Sequence, residues 1–174
     1  AVWERRLAAA LPVYRDTRSL QIAAELGMDV DVEEWEAACK ILDVEADHVL
    51  VNAMVDAHLY VPQPRGRGWT FVHSLVRESL CRQAEFEGRR AAHHHAAAEM
   101  LKGRDGVAPR RGRHLYMSGD TAEAVPALRE GALQCFREGR NEVGSDLISI
   151  YEQALTTLKV PKTDLRWSEG WMIK

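Results

Sequence analysis

One stretch of this chain, Leu59–Val72, reads as strand, and almost everything on either side of it reads as helix. Leu59-Tyr60-Val61-Pro62 and Trp69-Thr70-Phe71-Val72 are short and β-prone, and Gln63-Pro64-Arg65-Gly66-Arg67-Gly68 between them is rich in turn formers. That is a hairpin with a loose tip. Ahead of it the sequence predicts a helix over Val2–Ala10, stopped before Pro12, and another over Thr17–Leu26, ended by Gly27. Val32, Trp35, Ala38, Cys39 and Leu42 recur at helical spacing behind Asp31, a natural N-cap. Ala46, Val49, Leu50, Ala53 and Ala57 mark a further helix, with Glu45 and Asp47 in its first turn, where the helix dipole favours acids. Helices followed by a two-stranded wing make the winged-helix pattern.

Beyond the hairpin the pattern is helical to the end. Leu75, Val76 and Leu80 begin one helix, and His93, Ala96, Ala97, Met100 and Leu101 share a stripe on the next. The stretch Gly103–Gly106 interrupts. A helix near Pro109–Met117 leads into the turn Ser118-Gly119-Asp120, with Asp120 as cap. Val125, Leu128, Ala132 and Phe136 follow, with Pro126 expected to bend or restart that helix. Leu147, Tyr151, Ala154, Leu155 and Leu158 give the cleanest stripe. Helices of similar length joined by short turns suggest stacked helical hairpins of the tetratricopeptide kind. The expected fold is therefore mainly α: a winged-helix domain over 1–83, a linking helix over 84–105, and TPR-like helical hairpins over 106–174. The chain begins and stops inside apparent helices, so it reads as a segment of a longer protein whose hairpins are truncated at the C-terminus.

Composition narrows the function classes. Hydrophobic residues at 46% and charged residues at 28% are globular values. A net charge of −3 gives no global pull toward nucleic acid or an anionic membrane. There is no run of eighteen apolar residues. Cys39, Cys81 and Cys135 are widely spaced and read as buried thiols in a reducing compartment, the cytoplasm by default. A winged helix invites a DNA-reading role, yet no Lys or Arg occurs from Ile41 to Pro64, across the candidate recognition helix, while Asp43, Glu45, Asp47 and Asp56 are acidic. Phosphate contacts dominate DNA affinity, so that helix would be repelled. Arg65 and Arg67 at the wing tip and Arg104, Arg110, Arg111 and Arg113 further on read as solvated charge. His93, His94 and His95 are consecutive on a helix and point about 100° apart, so they cannot converge on one metal ion; His93 falls on the apolar stripe and the other two point elsewhere. Trp35, Trp69, Trp167 and Trp171 read as core anchors or, for the last two, as contacts to a following repeat. No GxxxxGK(S/T), HExxH, GxSxG or kinase loop is present, so no catalytic residue is assigned.

Four strings, in order, carry a resemblance. Leu20-Gln21-Ile22-Ala23-Ala24-Glu25-Leu26-Gly27 is similar to L-x-x-A-A-x-L-G. Phe71-Val72-His73-Ser74-Leu75-Val76-Arg77-Glu78 is similar to F-x-H-x-L-x-R-E. Arg89-Arg90-Ala91-Ala92-His93 with Ala96-Ala97-Ala98-Glu99-Met100-Leu101 is similar to R-R-x-L-H…A-A-E-x-L, with Ala92 in place of Leu. Arg113-His114-Leu115-Tyr116 followed by Gly119-Asp120 is similar to H-x-x-x-A-G-D, with Ser118 in place of Ala. Together they resemble the winged-helix region and first sensor repeats of STAND signalling ATPases, a family of large regulators that includes LuxR-type proteins and ATPases fused to kinases or cyclases. The resemblance implies a non-catalytic regulatory fragment whose winged-helix domain restrains an upstream nucleotide-binding domain of the same chain. It further implies that His73 contacts the β-phosphate of ADP held there, and that a protein or small-molecule effector acts on the repeats. ADP or ATP would belong to the longer protein and no cofactor to this segment. The alternatives are a TPR-like interaction scaffold without a nucleotide switch and, behind it, a DNA-binding winged helix. A histidine that caps the next helix or packs locally is the plain reading of His73.

Overall fold

The computed structural model describes residues 16–173, apart from the side chains of residues 65 and 171–173. The helix expected over Val2–Ala10 and the contacts expected of Trp171 lie outside the described residues. The chain is mainly helical, with one small three-stranded antiparallel sheet among the described residues. It divides into two compact units after Ala96, within the stretch 84–105.

The first unit runs α1 (Arg18–Leu26), β1 (Asp29–Asp31), α2 (Val32–Ile41), α3 (His48–Asp56), β2 (Tyr60–Pro62), β3 (Gly68–Phe71) and α4 (Ser74–Phe86), and ends in the first turns of α5 (Arg90–Met100). Two acids start helices by capping. The Asp31 carboxylate accepts from the backbone N–H groups of Glu33 and Glu34, and the Asp47 carboxylate accepts from that of Leu50 at 2.9 Å. Asp47 therefore precedes α3 rather than belonging to its first turn.

The expected hairpin is present as β2 and β3, but the sheet has a third strand. β1 pairs with β3, giving the order β1-β3-β2, with Val30 opposite Trp69 and Tyr60 opposite Phe71. Alternation puts Val30, Tyr60, Trp69 and Phe71 on the buried face. There Trp69 meets Trp35 of α2 edge-on at 5.0 Å between ring centroids and stacks on Tyr60 at 5.6 Å. The Trp35 indole N–H donates to the Ser19 carbonyl at 2.7 Å, tying α2 to α1. Gly68 is required where β3 passes β1: a Cβ there would lie 1.8 Å from the Val30 carbonyl oxygen.

The second unit contains the rest of α5, then α6 (Ala108–Ser118), α7 (Thr121–Arg137), α8 (Asn141–Thr157) and α9 (Leu165–Ile173). Leu115, Leu128, Leu147, Tyr151 and Leu155 lie in its core. Backbones approach closely: a Cβ on Gly112 would sit 2.8 Å from the Leu128 nitrogen, and one on Gly131 would sit 2.7 Å from Pro109 backbone atoms. Gly119 turns the chain between α6 and α7 in the left-handed conformation, φ 93°. Asp120 occupies the N-cap position but does not cap with its side chain; its carboxylate accepts from the Ser118 hydroxyl at 2.8 Å. Nor does Pro126 restart α7, which runs unbroken through it. Both Pro126 and Ala122, whose carbonyl loses its usual partner, are exposed, so water can satisfy that oxygen. Trp167 is partly buried against this core, with the Lys162 ammonium 3.1 Å from its ring centroid. All three cysteines are buried free thiols.

Candidate functional site

His73 stands at the corner between β3 and α4. The corner is firmly built. Phe71 is buried, meets Tyr60 edge-on at 4.7 Å, and donates its backbone N–H to the Met28 carbonyl at 2.9 Å. The Val72 N–H donates to the Leu59 carbonyl at 3.0 Å. His73 itself is extended, φ −139° and ψ 140°, and occupies the N-cap position of α4. Its imidazole makes no capping hydrogen bond to that helix, and the residue is exposed, flanked by exposed Val72 and Leu75. Capping is thus not its role. The first turn of α4 contains no acidic side chain. The ring therefore stands at the N-terminal end of a thirteen-residue helix, the positive end of its dipole.

Behind this corner the resembling strings of the first unit meet. The Arg77 Nε donates to the Ala24 carbonyl at 2.7 Å, joining α4 to α1. At the next position, Glu25 is buried, its side chain 1% exposed, and faces partners from α5 on both oxygens. The Arg90 Nε donates to one at 2.9 Å, and the His94 Nε2 lies 3.2 Å from the other. Burial pushes the Glu25 carboxyl up, but the hydrogen bond and charge of His94 and the charge of Arg90 outweigh it, holding the group below the usual carboxylate range. His94 was expected to point away from the core; it is buried because the helix turns it onto Glu25. His93 is buried as expected, and desolvation above all pulls its imidazole down to about 4. His95 is exposed. Cys81, beside Glu25, is pushed up to about 12 by burial first and by the Glu25 charge next. Such a thiol stays protonated and unreactive at neutral pH.

Glu25, Gln21 and Glu87 form the polar seam that the sequence did not announce. The Gln21 Nε2 donates to Glu87 at 2.9 Å and to the Thr17 hydroxyl at 3.2 Å, and Gln83 joins the same two groups. A glutamate on a helix is ordinarily solvated, and partners some 65 residues away leave no local trace. On α3, the exposed positions are His48, which faces Glu36 at 2.9 Å, Val49, Asn52 and Asp56, with no Lys or Arg among them. Comparison with protein-family models, with curated proteins and with solved structures found no match.

Proposed function

We propose that this chain is a non-catalytic regulatory segment of a STAND-type ATPase. In this reading the first unit is a winged-helix domain that restrains an upstream nucleotide-binding module in its ADP state, and the second unit begins a TPR-like sensor array. The strand order β1-β3-β2, with α2 and α3 inserted between β1 and β2, supports the winged-helix reading, β2 and β3 being the wing. The pair α6–α7, joined by the two-residue turn Gly119-Asp120 and closely packed, supports the repeat reading.

The observation that carries the proposal is the display of His73. An imidazole N–H beside an open helix N-terminus suits a diphosphate, to which it donates a charge-assisted hydrogen bond. That bond exists only while the segment is folded back on the nucleotide. It therefore favours a closed state over an open one, as a switch requires. The rigid corner fixes where the ring is presented: Phe71 is anchored in the core, and Arg77 holds α4 against α1.

The reading has a direct genetic test. A P-loop, GxxxxGK(S/T), is expected in the coding sequence ahead of Ala1. A gene without one would leave no nucleotide to restrain, and the proposal would fall.

A further inference from the structure

On the first unit, an open cleft of about 310 Å³ is lined by Arg77, Glu78, Cys81, Arg82 and Glu85 of α4 and by Arg90 of α5. We infer that this cleft is a binding site for a phosphate group, held by Arg77, Arg82 and Arg90.

The guanidiniums are placed by other contacts, so little ordering is needed on binding. Arg77 is half-buried and spends its Nε on the Ala24 carbonyl, a neutral partner, and no carboxylate pairs with it among the described residues. Arg90 is fixed from behind by Glu25 at 2.9 Å. Arg82 is steadied by its Nη2 bond to the Ser79 hydroxyl at 3.0 Å. Three planar donors from two helices therefore line one concave surface, the arrangement that suits phosphate.

Two acids share the cleft. Glu85 is 67% exposed and only 3.5 Å from the Arg90 Nη1, a loose pair that a doubly charged ligand displaces. Glu78, the other, forms no ion pair among the described residues. A single negative charge gains little against these acids, whereas a dianion with three acceptor oxygens engages all three guanidiniums. Cys81, protonated at neutral pH, adds no charge. The occupant is a phosphate dianion, either free or as a monoester.

Calorimetric titration of the 174-residue chain tests this. Inorganic phosphate is expected to bind saturably, beyond the heat of sodium chloride at equal ionic strength. Arg77→Gln and Arg82→Gln are each expected to weaken binding about tenfold. Arg82 is exposed and its hydrogen bond to Ser79 ties no second element, so its variant decides if Arg77→Gln, which loses the tie to Ala24, fails to fold. Phosphoserine run alongside separates the two sources: tighter binding than phosphate marks an ester, weaker binding marks the free ion. Phosphate heats equal to those of chloride, or undiminished affinity in the folded variants, would overturn the assignment.

Discussion

At the scale of single residues, the buried seam between α1 and α5 sets the acid response. His93 is buried and its imidazole is held at about 4, well below its ordinary value of 6.5, chiefly because charging it in the core is costly. Between pH 6.5 and 4 the unfolded chain binds a proton that the folded chain does not. Stability therefore falls as pH falls through that window and is fully present above it. The contribution of this one ring is on the order of 3 kcal/mol. Glu25, whose carboxyl is depressed, adds a loss of the same sign at lower pH, beginning near the ordinary carboxylate value. Thermal midpoints measured from pH 7 to 4 are expected to drop steeply, and His93→Gln is expected to flatten the part above pH 4.5. A profile identical in the two proteins would mean that the ring is not desolvated.

The same residues show what a sequence can disclose. Phe71 and Arg77, which flank His73 in the string Phe71–Glu78, were legible as structural positions: Phe71 is buried and Arg77 ties α4 to α1. Helical periodicity placed His93 correctly on the buried stripe. His94 and Glu25 were not legible. Each is polar, and each is buried only because the other is there.

At the scale of elements, the helices were readable and the third strand was not. β1 is three residues, Asp29-Val30-Asp31, with one apolar side chain, and its partner lies in β3, about forty positions further on. A segment that short carries no period, and antiparallel pairing at that distance is a tertiary fact. The restart expected at Pro126 is absent for a related reason: proline costs a helix bond, but on an exposed face water repairs the loss.

Close helix contacts supply a test at this scale. Replacing Gly131 with alanine brings a helix-propensity gain of about 1 kcal/mol. It also drives a methyl group to 2.7 Å from the Pro109 backbone, where nothing flexible can yield. Overpacking of that kind costs about 1–3 kcal/mol. Since the obstacle is backbone rather than a side-chain tip, the clash is expected to win. Gly131→Ala should lower the unfolding free energy by up to about 2 kcal/mol and the urea midpoint with it, and a raised midpoint would show that α6 and α7 are not packed this closely.

At the scale of the whole molecule, two units are threaded on one chain, with α5 spanning the boundary at Ala96. The first unit offers His73 at an uncapped helix start. The second is built from packed helices, with glycine where α6 and α7 approach closely. Neither α3, which has no Lys or Arg, nor the net charge of −3 favours a DNA surface. The proposed restraint on a nucleotide module accounts for an imidazole displayed at that corner.

The central claim is that the His73 ring donates to a diphosphate in the longer protein. The rate of ADP release from that protein, with His73 intact and with His73→Ala, measures it directly. A charge-assisted hydrogen bond worth about 1.5–3 kcal/mol predicts release about 10–100-fold faster in the variant, with the fold unchanged by circular dichroism. Equal release rates in two equally folded proteins would contradict the account.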